Sequence, residues 1–133
     1  MKNELLKEIN SKQFSVKVDA IFLNMTTLST QLNAFLSSKK INLETVLRCN
    51  NSTVERNLLR YAKDINLTVL ELTGVNIATR YLTYWSSLIG DYEIIKEGNG
   101  NGLDLLSLVE SVNDHHSNEI EIVNELNQIF INQ

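Results

Sequence analysis

A heptad repeat of apolar residues is the feature that most restricts how this chain can fold. Over residues 14–36 the apolar positions alternate at spacings of four and three, at Phe14, Val18, Ile21, Met25, Leu28, Leu32 and Phe35. This spacing places them on one face of an α-helix, with polar residues opposite. Phe22 and Leu36 are expected to widen the apolar face by one position. The sequence therefore predicts a long amphipathic helix over 14–36.

This heptad seam has two interpretations. At this length it is typical of the core face of an intramolecular helical bundle, which is the interpretation we favour. The alternative is a zipper between two copies of the chain, which would make the protein a self-associating helical adaptor and a homodimer.

Composition supports a helical fold for the whole chain. The 133 residues include no proline and only five glycines, so few positions break a helix. Hydrophobic residues make up 43% and charged residues 21%, which is typical of a soluble globular domain. A chain of this length forms one domain with one hydrophobic core. We therefore predict an all-α, compact, single-domain bundle of about five to six helices over residues 1–133.

Local patterns place the helices before residue 66. Residues 2–13 are expected to form a short helix or to extend the seam helix. Asn42 can cap a short helix that carries Glu44 in its first turn. The run 52–55, Ser-Thr-Val-Glu, has the form of a capping box, which predicts a helix from Thr53 through Ile65.

The pattern from residue 66 onward is less uniform. β-Branched residues are frequent over 66–78, so a strand competes there with a helix, and a helical break is expected near Gly74. The glycine-rich run 97–102 predicts a loop. Two closing helices are predicted over 103–113 and 119–131, the second capped by Asn118. Aromatic residues cluster just before the loop, either as core or as a binding hot spot, at Tyr81, Tyr84, Trp85 and Tyr92.

The charges are divided unevenly along the chain. All 12 Lys and Arg residues lie at or before Lys96, so residues 1–96 carry a net charge of +3, whereas residues 97–133 carry −7. One hypothesis is that a basic stripe of Arg56, Arg60 and Lys63 packs beside the acidic residues of 97–133 and neutralises their charge within the fold. The other is an acidic surface that attracts a basic protein partner. Direct binding of nucleic acid is not expected of the acidic third, because phosphate binding needs clustered cations. The candidate partner-binding residues are Asp104, Glu110, Asp114, Glu119, Glu121 and Glu125.

Catalytic and metal-binding patterns are weak. Cys49 is the only cysteine, which excludes an intramolecular disulfide and a multi-cysteine zinc site, and we expect it to be a small buried hydrophobe. His115 and His116 fall in the predicted linker between the two closing helices, where a surface loop is the simplest interpretation. No cofactor motif is present. A non-enzymatic protein is therefore expected, and a small hydrolase using His115 or His116 is an alternative.

The remaining sequence features concern location and function. The N-terminal segment carries charges of both signs and has no apolar core of a signal peptide, and no apolar run approaches the ~20 residues of a membrane span. A cytoplasmic location without membrane contact is therefore expected. The leading hypothesis is a protein-binding module, and in its specific form an acidic inhibitor of a basic protein, of the immunity or antitoxin type.

Overall fold

The computed structural model describes residues 2–42, 44 and 58–131, with only the backbone described at 58 and 116–120. These residues form five α-helices and no strand: α1 Lys2–Ile9, α2 Lys12–Ser38, α3 Leu58–Asp64, α4 Val69–Lys96 and α5 Leu105–Ile131. The prediction of an all-α bundle of five to six helices is confirmed.

The α2 helix confirms the heptad seam. All seven seam residues are buried, with exposed fractions between 0% at Leu28 and 8% at Met25, and Leu36 is buried beside them. The prediction for Phe22 is wrong, because 57% of its surface is exposed. Phe22 lies at the edge of a shallow cavity formed with Leu82 of α4, which leaves most of its ring uncovered.

Residues 2–13 form a separate short helix followed by a turn. The Ser11 hydroxyl accepts a hydrogen bond from the Phe14 backbone N–H, at 3.2 Å, and so caps the start of α2. Ile9, the last residue of α1, is fully buried. The α1 helix therefore packs against the bundle instead of extending α2.

Three long helices surround the core. Contacts between Phe35 and Phe130, with ring centroids 5.0 Å apart, and between Lys17 and Asn113 show that α2 and α5 run parallel. The Lys39–Glu71 ion pair joins the end of α2 to the start of α4, so α4 runs antiparallel to α2. The heptad seam is covered by these helices of the same chain, which leaves it no surface for a second copy. The burial of the seam favours the intramolecular interpretation.

The α4 helix begins at Val69 and has no break at Gly74. The preceding turn lies at Asn66, whose φ is 60°, and Thr68 and Glu71 form a capping box that starts α4. Residues 69–78 are therefore helix and not strand. Gly74 is buried in the helix, where an added Cβ would lie 3.4 Å from Ile129 of α5. The helix continues through Gly74 because burial against α5 outweighs the low helix propensity of glycine.

The α5 helix corrects the prediction of two closing helices. It runs without interruption through residues 114–118, so Asn118 is not an N-cap. The reason is tertiary, because His115 is 3% exposed and packs against residues of α4. The loop prediction for 97–102 is confirmed, and Gly98 and Gly102 adopt positive φ values of 84° and 92°.

Some sequence predictions lie outside the described residues. These are the environment of Cys49, the capping box over 52–55 and the position of Arg56. The Asn42 side chain accepts a hydrogen bond from the Glu44 backbone N–H at 2.9 Å, which agrees with its predicted capping role.

Substituting Gly90 with alanine is expected to stabilise the fold by about 0.5–1 kcal/mol, because glycine in a helix interior costs that much relative to alanine. Gly90 lies within α4, and no described atom outside its neighbouring helical backbone is within 4 Å of an added Cβ. Urea denaturation measures the change. As a control, Gly98→Ala should destabilise, because its φ of 84° strains an alanine. A Gly90→Ala variant that is less stable than the parent would contradict the prediction.

Candidate partner-binding surface

Four exposed carboxylates form a line along α5. They are Glu110, Asp114, Glu121 and Glu125, which we name the acidic ridge. At 100° per residue their positions fall within about 60° around the helix, and at 1.5 Å per residue they extend over about 22 Å. Four of the six acidic residues proposed from the sequence are therefore brought onto one face of one helix.

The acidic ridge has no cation paired with it among the described residues. Its four carboxylates make no ion pair or hydrogen bond with any of those residues. The Lys17 ammonium, on α2, instead donates to the Asn113 side-chain oxygen at 2.8 Å. Among the described residues, the four ridge carboxylates are therefore exposed to solvent.

The proposed basic stripe does not reach the ridge through its two described residues. Arg60 and Lys63 are exposed on α3, and α3 makes its main contacts with α4. Neither side chain forms an ion pair with a described carboxylate of α5. The described contacts therefore do not support neutralisation of the acidic residues by Arg60 and Lys63.

The other two proposed acidic residues differ from the ridge. The Asp104 carboxylate accepts a hydrogen bond from the Ser107 backbone N–H at 3.0 Å, so it caps the start of α5. Glu119 lies in α5, and its side chain is outside the described residues. Asp104 thus has a local structural role, although its side chain remains exposed.

A shallow, mainly apolar groove lies between α4 and α5, and we name it the α4/α5 groove. Its lining residues are Ile77, Arg80, Tyr81, Tyr84, Trp85 and Ile122. Ile77 and Tyr84 are 41% and 50% exposed, whereas Trp85 is buried and forms the base of the groove. The core interpretation of the aromatic cluster is therefore confirmed for Tyr81, Trp85 and Tyr92, whereas Tyr84 is half exposed.

The groove adjoins the acidic ridge. Tyr84 and Ser111 are joined by a hydrogen bond between their hydroxyls at 3.0 Å, and Ile122 lies on the groove wall. Ser111 lies three positions before Asp114 of the ridge, and Ile122 lies three positions before Glu125. A spacing of three residues corresponds to about 60° around the helix. The ridge therefore follows the α5 side of the groove. Sequence reasoning missed this groove, although the seven-residue spacing of Ile77 and Tyr84 was a usable signal.

The histidine proposed for a hydrolase lies beneath this surface. His115 is 3% exposed, its Nε2 lies 3.0 Å from the Tyr81 hydroxyl, and its ring stands edge-on to Trp85 at 4.8 Å. These contacts make His115 a core residue instead of the loop residue that the sequence predicted. The His116 side chain is outside the described residues. The His115 side chain is therefore not exposed to a substrate, as a hydrolase that used His115 would require.

Two further findings limit the kinds of site in the described part of the chain. No group of three or more His, Cys, Asp or Glu side chains there is arranged to hold a metal ion. The described helices include none with the length and apolarity required to cross a bilayer.

No family model, curated protein or solved structure matches the chain.

Proposed function

We propose that the chain is a non-enzymatic protein-binding module whose acidic ridge binds a basic protein. The observation that carries this proposal is the line of four exposed carboxylates, Glu110, Asp114, Glu121 and Glu125, without a described cation paired with them. Opposite charges across an interface accelerate association and select against partners of the wrong charge. A protein with a cationic surface is therefore the partner that this face fits.

The specific form we propose is an inhibitor of the immunity or antitoxin type. Enzymes that degrade nucleic acids carry a cationic groove for phosphates, and a row of carboxylates can occupy such a groove by charge complementarity. The ridge length of about 22 Å, calculated from the helix rise, is sufficient to contact several cationic side chains at once. This form rests on the charge and length of the ridge.

The test is capture of partners by the full chain, followed by kinetics. The immobilised protein is exposed to a lysate of its source cells at low salt, and bound proteins are identified by mass spectrometry. We expect a basic protein, whose association rate falls steeply as salt increases. Neutralising the ridge with Glu110→Gln, Asp114→Asn, Glu121→Gln and Glu125→Gln should lower the association rate by about tenfold or more.

A matched control carries the same change in net charge elsewhere. It replaces four exposed acids outside the ridge, through Glu8→Gln, Asp19→Asn, Asp64→Asn and Glu93→Gln. Its association rate should change much less than that of the ridge variant, because steering depends on charge near the interface. Equal losses in the two variants would contradict the ridge as the binding face, and so would failure to capture any basic protein. Inhibition of a captured nuclease would support the inhibitor form.

A further inference from the structure

We propose that the α4/α5 groove is the apolar anchor of this binding surface and that it receives one face of a basic amphipathic helix of the partner. This inference rests on the proposed function and adds to it the site of tight contact and the secondary structure of the segment that is bound.

The side chains of the groove are suited to an anchoring role. Trp, Tyr and Arg are enriched among residues that contribute most to binding energy, and this groove contains Arg80, Tyr81, Tyr84 and Trp85. Trp85 is only 2% exposed, so the base of the groove is fixed by packing in the core.

The exposed apolar residues follow the spacing of a helix-binding groove. Ile77 and Tyr84 lie seven residues apart on α4, which places them on one face about 10 Å apart along the axis. Ile122 supplies the opposite wall from α5. A partner helix that presents apolar residues at positions i, i+3 or i+4, and i+7 can cover this length of groove.

The charges beside the groove determine the polar flank of the bound helix. The acidic ridge follows the α5 side of the groove. Asp114 lies about 60° around the α5 helix from Ser111, and Glu125 lies about 60° from Ile122. Arg80 lines the α4 side. A helix whose Lys or Arg residues flank its apolar stripe on one side is therefore expected to turn those residues toward the acidic ridge on α5.

Trp85 provides a second, independent observation. Its indole N–H is buried and makes no hydrogen bond among the described residues, although buried polar groups are usually paired. Trp85 lines the groove, so a small displacement of the side chains over it would let a polar atom of a bound segment accept this hydrogen bond. This donor adds a polar contact to a groove that is otherwise mainly apolar.

The same charges disfavour two other occupants. A second copy of the chain related by a two-fold axis across the groove would bring two acidic ridges close together, and like charges oppose such contact. An anionic membrane surface would repel the ridge in the same way. The partner helix is therefore the occupant that both the groove and the ridge favour.

The test uses a display library of helical peptides about 18 residues long, with randomised surface positions, selected on the full-length protein. We expect the enriched peptides to carry a net positive charge and an apolar i, i+3 or i+4, i+7 stripe. The paired substitution Ile77→Ala with Tyr84→Ala should weaken the best peptide by about tenfold or more, mainly through faster dissociation. The ridge variant should instead slow association and reduce the salt dependence.

A second pair of substitutions controls for loss of exposed apolar surface. Leu23→Ala with Leu70→Ala changes residues that are 65% and 63% exposed and lie outside the groove, and it should leave peptide affinity unchanged. Circular dichroism of every variant verifies the fold. Equal effects of the two pairs would overturn the assignment of the groove.

The remaining outcomes separate this inference from the proposed function. If basic peptides bind through the ridge but tolerate the Ile77 and Tyr84 substitutions, the groove proposal fails and the proposed function stands. If the enriched peptides are neutral or acidic, both fail. Light scattering that shows a dimer disrupted by Tyr84→Ala would identify a second copy as the occupant and overturn the inference, as would groove-dependent binding to vesicles containing phosphatidylserine.

Discussion

Replacing Leu28 with alanine is expected to lower the free energy of unfolding by about 2–5 kcal/mol. Leu28 is central in the heptad seam and is fully buried. The substitution removes apolar contacts and leaves a cavity between helices that can close only in part. Urea denaturation of the parent and the variant, with a common slope, measures the difference.

The same helix offers a matched control for this substitution. Leu23→Ala removes the same atoms from a side chain that is 65% exposed, and its effect should remain within about 0.5 kcal/mol. A similar loss in both variants would show that the effect comes from helix propensity and not from packing. A loss below about 0.5 kcal/mol for Leu28→Ala would contradict its place in the core.

Replacing Glu71 with alanine is expected to cost about 1.5–3 kcal/mol, the usual range for hydrogen bonds to charged groups. One carboxylate oxygen accepts from the Thr68 backbone N–H at 2.9 Å, while the Thr68 hydroxyl accepts from the Glu71 N–H at 3.0 Å. The other oxygen lies 3.5 Å from the Lys39 ammonium. The substitution therefore weakens the start of α4 and its connection to the end of α2.

The contribution of the Glu71 charge should depend on pH. Burial raises the pKa of the Glu71 carboxyl, but hydrogen bonds with Thr68 and the nearby Lys39 charge outweigh burial and hold the pKa below its ordinary value of 4.5. A carboxyl whose pKa is lowered by folding stabilises the fold above its unfolded pKa, and this stabilisation is lost as the pH falls through the folded pKa. The expected window therefore lies below about pH 4.5.

The contribution of the Glu71 charge to the free energy of unfolding is measured with Glu71→Gln, which keeps the shape of the side chain. The stability difference between the parent and this variant should be constant between pH 5 and 7 and should shrink as the pH falls below 4.5. Lys39→Met serves as the partner control, because it removes the ammonium and keeps an apolar side chain over Phe35. A difference that increases on acidification would contradict the assigned direction of the pKa.

The candidate surface was only partly predictable from the sequence. The excess of acid after residue 96 is visible without a structure, and it pointed to Glu110, Asp114, Glu121 and Glu125. Their alignment was hidden by the predicted linker at 114–118, because a break there would remove the common helical phase. Asp104 has the same charge as the ridge residues, yet it acts as a helix cap. Formal charge identifies the candidate acidic residues, whereas their positions in the structure distinguish the helix cap from the ridge residues.

Local chemistry alone determined the long α2 helix and the loop before α5. The seam repeats over many turns, so its burial follows from helical periodicity whichever helices cover it. The glycines at 98 and 102 occupy positive φ values that other residues rarely adopt. In these two regions, short-range preferences and the tertiary fold favour the same structure.

The tertiary structure decided the regions where local preferences were weak or misleading. Gly74 and the polar run 114–118 both suggested breaks, yet α4 and α5 continue through them. Gly74 is buried against Ile129 of α5, and at His115 the hydrogen bond with Tyr81 and the contact with Trp85 allow a polar ring to be buried. Both helices continue because contacts between residues distant in sequence outweigh helix propensities that differ by only about 1 kcal/mol per residue.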